Sequence, residues 1–260
     1  ELREKIRDHI AKFYNGKVAD FYIEITESSL VRLQVIIKID EKIEDLNEDI
    51  LEKEIIELAK PWSTSIKEEL YKIYEASDRK ELYKNYKDAF SVSYINRFDG
   101  CIAAKDILTI KRSISDQRVI FDFSKTKNCE KNICELKIFS PKEELYLSRV
   151  MPILESFGLN VIHEHTYIIT PANVDEPVRM NYFRINIDES YILNKKLKSN
   201  FEDALQQTYQ KNLGLGGINK LLIATSVDWR MIFALKSYFK YMSQTGFAAG
   251  QKFMAEVMVA

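Results

Sequence analysis

Glycine and proline are scarce in this chain, 8 and 5 in 260 residues, so the few that occur mark where elements end. Asn15-Gly16 closes a first stretch, 1–14, in which Leu2, Ile6, Ile10 and Phe13 recur at helical spacing. Residues 17–25 then alternate through Val18, Phe21, Ile23 and Ile25, a polar turn follows over Thr26–Ser29, and Leu33, Val35 and Ile37 share one face of the next run. That pattern predicts a β-hairpin. From 43 to 60 the helical stripe returns through Ile43, Leu46, Ile50, Ile56 and Ala59, and Pro61 restarts the chain. Two more amphipathic helices are expected at 63–76 and 78–98, ending near Gly100.

Strand character reappears at 117–123 and 133–139. A short helix at 148–157 is closed by Gly158, and in the strand that follows Val161, His163, His165, Tyr167 and Ile169 are expected on one face. After a loop at 171–178 comes a strand at 180–187, then helices at 199–212, 217–225, from Asp228 to about 242, and from 247. Such an order suits small antiparallel sheets with helices packed on one face, the ferredoxin-like arrangement within the α+β class. The front of the chain and the 117–212 region share an order of elements, yet no sequence repeat is visible.

Several function classes fall away on composition. Thirty-eight basic and 39 acidic residues give a net charge of -1, too balanced for the broad positive field that nucleic-acid binding needs. No apolar run reaches the length of a membrane-spanning helix. The eight acids against three lysines between 41 and 60 read as a solvated helix face. Cys101, Cys129 and Cys134 are few and odd in number, as in a reduced chain. The opening ELREKIRDH has no apolar core of a secretory signal, both ends are expected to be cut from a longer polypeptide, and the cytoplasm is the expected compartment.

Chemistry is equally thin. Gly214-Leu215-Gly216-Gly217 follows a helix, not a strand, so it reads as a helix–helix joint and not as a pyrophosphate cradle. His163 and His165 alternate on a strand, but no second Cys or His cluster stands by to complete a zinc site. With His9 on a polar helix face, three histidines so placed supply no nucleophile–base–orienter set. No catalytic, cofactor-binding or metal-binding residue is expected in this chain.

One apolar feature stands out. Asp228 can cap the helix that follows it, and Trp229, Ile232, Phe233, Leu235, Phe239 and Met242 spread apolar surface beyond a single stripe, extended by Tyr238 and Tyr241. Trp229, Ile232, Phe233, Phe239 and Met242 are the expected assembly surface.

The run SRVMPILESFGLNVIHEHTYIITP, 148–171, resembles a stretch of the large bacterial NAD-specific glutamate dehydrogenases through Ser148, Val150, Pro152, Leu154, Glu155, Gly158, Leu159, Val161, Glu164 and Tyr167. Residues 228–247 resemble a helix of the same family through Trp229, Arg230, Leu235, Tyr238, Tyr241, Gln244 and Phe247. The hairpin near the front, and Tyr86, Ala89, Phe90 and Tyr94, are similar in the same order. Departures stand at Arg149, Met151 and Lys236.

The resemblance implies ACT-like (ferredoxin-like) modules and helical segments ahead of a catalytic domain. It implies a partial ACT-like module at 1–60, a helical spacer at 61–115, a second ACT-like module at 116–190, and helices at 191–260 leading toward a catalytic domain outside this chain. The parent reaction would be the oxidative deamination of L-glutamate to 2-oxoglutarate and ammonium with NAD. This chain would be its non-catalytic regulatory and oligomerisation region, holding no cofactor itself. Its partners would be its own catalytic domain, neighbouring subunits of a homo-oligomer, and an amino-acid effector. ACT modules bind amino acids at the strand–helix loop, which implies an effector site of Ser140, Lys142, Gly158 and Asn160. The alternative is a stand-alone ACT-type amino-acid sensor, against which the loop's lack of a glycine at Ser140-Pro141-Lys142 counts.

Overall fold

The computed structural model describes residues 2–25, 31–39, 48–125, 132–142, 144–187, 195–225, 227–246, 253–254 and 257–258. The expected turn at Thr26–Ser29, the first residues of the helix expected from 43, Cys129 and most of the helix expected from 247 lie outside them. Two compact units divide the chain, Glu1–Ser65 and Ile66–Ala260.

In the first unit, α1 (Leu2–Phe13) leads into β1 (Lys17–Ile25), β2 (Val31–Lys38) and α2 (Glu48–Ala59). Asn15 adopts the left-handed conformation, φ 44°, which lets the Asn15 and Gly16 N–H groups donate back to the Lys12 and Ala11 carbonyls at 3.1 and 2.9 Å. Those two bonds satisfy carbonyls that the helix end would leave open. β1 and β2 pair antiparallel, with a β-bulge between Val18 and Asp20. α3 (Trp62–Ile73) crosses the boundary between the units.

The second unit continues with α4 (Ala76–Tyr86), α5 (Val92–Arg97) and α6 (Gly100–Asp116). The helix expected over 78–98 breaks at Lys87–Ser91, where Phe90 forms a β-bridge with Ile169. Gly100, taken as a terminus, is the first residue of the 17-residue α6. Asp99 caps it by accepting from the Ile102 N–H at 2.8 Å.

Strands β3 (Ile120–Lys125), β4 (Ile133–Ser140), β5 (Asn160–Ile169) and β6 (Val178–Asn186) form one antiparallel sheet in the order β3-β4-β6-β5, with α7 (Leu147–Ser156) between β4 and β5 and α8 (Lys195–Tyr209) after β6. Taken from β4, the run β4-α7-β5-β6-α8 follows the first five elements of the ferredoxin-like βαββαβ order. β3 takes the place of that order's sixth element, its fourth strand, from the N-terminal side. A 3₁₀ turn (Gly217–Asn219), α9 (Lys220–Thr225) and α10 (Trp229–Gln244) complete the described elements.

Helices cover both faces of this sheet, not one as expected. On the first face Phe121, Phe123, Leu136, Ile138, Phe183 and Ile185 share one core with α7 to α10. Phe123 and Phe201 lie 4.8 Å apart, and Phe157 and Phe201 5.4 Å, as ring centroids at steep angles. Alternate residues of the same strands, including Phe139, Met180, Tyr182 and Tyr167, point the other way and are equally buried. They meet α5 and α6: Tyr94 and Phe98 both lie 5.6 Å from the Tyr167 ring, and Phe98 lies 5.5 Å from Tyr182. An apolar row on each side of a strand demands cover on each side.

A bulge also splits the residue set expected on one face of β5. Val161 stands opposite Ile185 and His163 opposite Arg184, with Ile162 extra between them. Val161 therefore packs against the core, while His163 and His165 lie on the other face and are exposed.

Candidate functional site

The implied effector residues do not converge. Ser140 ends β4, is buried, and stands opposite Arg179. Lys142 is exposed in the following loop. Asn160, exposed, begins β5 opposite Asn186. Arg179 and Asn186 are seven residues apart on β6, which corresponds to about 23 Å at the usual rise of a strand. The cause is topological: a strand–helix–strand crossover puts the loop before the helix and the loop after it at opposite ends of the sheet. Gly158 has a local task, closing α7 at φ 79° with the same pair of back-donated bonds that closes α1, from Gly158 to Glu155 at 2.9 Å and from Leu159 to Leu154 at 3.1 Å.

The expected assembly surface divides into two. Asp228 does cap α10, accepting from the Met231 N–H at 3.0 Å. Ile232 is fully buried in the unit's own core, and Trp229, Leu235 and Phe239 pack against it half-buried. Met242 is half-buried beside that stripe, and Phe233 is exposed on the far side. What α10 turns outward is a different row: Met231, Tyr238 and Tyr241 are 55, 67 and 65% exposed at helical spacing i, i+7, i+10. The Gly214–Gly217 segment joins α8 to α9, as expected, and the Lys236 ammonium donates to the Gly214 carbonyl.

One polar cluster escaped the sequence reading. Lys137 of β4 and Asp106 of α6 are 5 and 2% exposed, and the ammonium donates to both carboxylate oxygens, at 2.7 and 2.6 Å. The Tyr94 hydroxyl donates to the same carboxylate at 2.6 Å, and the ammonium lies 4.4 Å from the centre of the Phe98 ring. Burial raises the Asp106 carboxyl above its ordinary value against the lowering influence of Lys137 and Tyr94. Beside it, Arg97 lies 4.4 Å over the Tyr182 ring and donates to its hydroxyl at 3.0 Å, while that hydroxyl donates to Glu135 at 2.8 Å. Burial pushes the Tyr182 phenol up to about 12. A signal was present: Asp106 sits on the stripe of Ala103, Ile107 and Ile110, where a carboxylate needs a buried partner.

Chemically this cluster holds and does not react. The Asp106 carboxylate is already occupied by an ammonium and a phenol, out of reach of solvent. Among the described residues, no group of three or more His, Cys, Asp or Glu could hold a metal ion, and no helix is long and apolar enough to cross a membrane.

Three family models match in order along the chain. "Glutamate dehydrogenase, ACT2 domain" matches residues 1–63, "Glutamate dehydrogenase, ACT3 domain" residues 118–198, and "Glutamate dehydrogenase, helical motif 3" residues 216–260. The chain belongs to the NAD-specific glutamate dehydrogenase family. In the terms of that family, the ACT3 segment opens at β3 and runs into α8, while helical motif 3 contains α9 and α10. The NAD-specific glutamate dehydrogenase of Halomonas elongata is 24% identical over 260 residues, 99% of this chain and 16% of its own length. Those of Pseudomonas aeruginosa and Mycobacterium tuberculosis are each 24% identical, over 94 and 67% of this chain and 15 and 11% of their lengths. The chain thus spans about a sixth of the Halomonas enzyme.

Proposed function

We propose that this chain is a non-catalytic regulatory and oligomerisation region of an NAD-dependent glutamate dehydrogenase in the cytoplasm, with NAD and glutamate handled elsewhere in the parent. Two ACT-type segments and a helical motif, in that order, support the reading. The observation that carries the assembly role is the outward row Met231, Tyr238 and Tyr241 on α10, a helix whose other face is committed to its own core. Large amphipathic aromatics on a rigid support are what subunit interfaces favour. The partners are the parent's catalytic domain and neighbouring subunits. The stand-alone amino-acid sensor is the weaker reading, because Ser140 and Asn160 sit at opposite ends of the sheet.

Sedimentation of the intact enzyme carrying Tyr238→Glu and Tyr241→Glu tests this. Smaller oligomers with unchanged circular dichroism support the assembly role, and an unchanged sedimentation profile refutes it. The 260-residue chain mixed with NAD and glutamate should give no absorbance of reduced nicotinamide. Turnover that survives repurification overturns the non-catalytic reading. Calorimetric heat with any common amino acid would favour the sensor.

A further inference from the structure

Two lysines of the second unit are drawn out of solvent in opposite company. Lys137 gives its ammonium to a carboxylate. Lys236 of α10, half-buried, gives its own to the Gly214 carbonyl, a neutral group. α10 packs against α8, α9 and the 3₁₀ turn. α9 and the turn carry Lys220 as their one charged residue, and α10 itself carries Arg230, Lys236 and Lys240 and no acid. Of the two carboxylates of α8, Glu202 accepts from the Phe123 N–H at 2.8 Å and pairs with Lys198, and Asp203 is exposed. An ammonium taken from water with no anion beside it is destabilised relative to the free amine. Burial accordingly pushes the Lys236 amine down to about 8.

The surrounding turn accommodates the neutral form. The Gly214 carbonyl also accepts from the Asn219 amide at 3.3 Å, and Asn219, fully buried, is fixed by a second donation to Ser156 Oγ at 3.0 Å. When Lys236 gives up its proton, the carbonyl keeps that second donor and is not left unpaired. Space is present too, since a Cβ added at Gly214 or Gly217 would meet nothing within 4 Å. At Gly216 an added Cβ would lie 4.0 Å from Lys236 Cε and Nζ, so glycine backbone runs beside the end of the stem. Lys236 follows Ile232 by one helical turn, on the flank away from Met231, Tyr238 and Tyr241. Assembly through that outward row would leave it uncovered.

We propose that Lys236 is a site of covalent acylation by activated acyl donors, the acyl phosphates and acyl thioesters. The free electron pair on Nζ attacks the acyl carbon and forms a C–N bond. The C–O bond to phosphate, or the C–S bond to the thiol, breaks, and the leaving group departs with that bond's electron pair. The nitrogen releases one proton to water, and a neutral amide remains. The acyl group then lies on the open side of the Gly214–Gly217 turn, and the positive charge at that joint is lost. This site stands apart from the assembly reading and from any amino-acid effector.

At about pH 7.5 an amine titrating near 8 is neutral about 200 times more often than a lysine at the usual value of about 10.4. The weaker base is also the weaker nucleophile, and a Brønsted slope of about 0.4–0.5 removes about 10-fold of that advantage. Lys236 should therefore be acylated at least about 10-fold faster than the exposed Lys211 and Lys240. Incubating the folded 260-residue chain with acetyl phosphate, and separately with acetyl-coenzyme A, and timing each lysine by peptide mass spectrometry tests this. Preference for Lys236 with either donor supports the site, and the donor that gives it identifies the source. The Lys236 rate should level off above about pH 8 while those of Lys211 and Lys240 keep rising, and unfolding in guanidinium should abolish the preference. Rates equal to the exposed lysines with both donors, or a preference that survives unfolding, would overturn the proposal. Fast label persisting on the 229–244 segment of a Lys236→Arg chain would do so as well, because arginine stays protonated and does not react.

Discussion

Replacing Lys137 with Met removes the ammonium from the buried pair but keeps an apolar stem of similar length beside Phe98. Asp106, 2% exposed, would then keep the Tyr94 hydroxyl and lose both charge-assisted bonds to Lys137. Breaking a buried pair from one side costs about 3–5 kcal/mol. With about 2–4 °C per kcal/mol for a unit of this size, the melting temperature of the second unit should fall by about 6–20 °C. The loss depends on pH. Without the ammonium, burial holds the Asp106 pKa further above its unfolded value of about 3.9. Between those two values the folded state binds more protons than the unfolded one, so stability rises as pH falls. The deficit of the variant should therefore shrink as the pH falls toward that unfolded value. Adding Asp106→Leu should recover most of the loss, less about 1–3 kcal/mol for the Tyr94 hydroxyl deprived of that acceptor. Guanidinium unfolding of the wild type, both single variants and the double variant gives the coupling energy directly. A Lys137→Met protein within about 1 kcal/mol of wild type, with no pH dependence, would refute the claim that the pair ties α6 to the sheet.

Gly158→Ala places a side chain at φ 79°, 3.2 Å from the Lys220 stem; the left-handed backbone should cost about 1–2 kcal/mol, seen as a lower unfolding midpoint. Gly16→Ala sets a Cβ 2.8 Å from the Lys38 carbonyl oxygen, and should loosen the first unit, read as faster amide exchange in β1 and β2. Asp228→Ala removes the α10 cap and should cost about 1 kcal/mol, measured by chemical denaturation. Burial raises the phenols of Tyr74 and Tyr182 to about 12, so their contribution is complete below the unfolded value of about 10 and is lost as pH rises from there through 12. The alkaline absorbance difference between wild type and a Tyr74→Phe, Tyr182→Phe variant should show these two phenolates appearing together with loss of helix; their appearance in a still-folded chain would contradict it.

Local signals were legible wherever one residue or one period carried them. The Asn15-Gly16 and Gly158 stops, the front hairpin and the Asp228 cap follow from backbone conformation and alternation alone. Failures came where a second element decides the outcome. Gly100 looked like a terminus because glycine often ends helices, yet Asp99 before it makes the position a start. One-face periodicity in β5 failed at Ile162, since a bulge is set by the pairing with β6 and leaves no mark in the apolar pattern. The two faces of α10 were merged because Ile232 and Tyr238 are both large and partly apolar, and only packing tells which side meets the core. Asp106 and Lys137 are 31 positions apart, and nothing local announces that they meet.

Because β4 is covered on both sides, its position along α6 has two tests to pass. Sliding by one residue would exchange the contents of the two cores, and the mismatch of side chains would reject it. Sliding by two keeps each side chain on its own side, so the apolar pattern tolerates it. Such a slide would bring Glu135 or Phe139 to the place of Lys137, setting a second carboxylate or a phenyl ring against Asp106. The single lysine in that stretch of strand thus acts as a key cut for one frame, making costly the misaligned forms that greasy surfaces by themselves would accept.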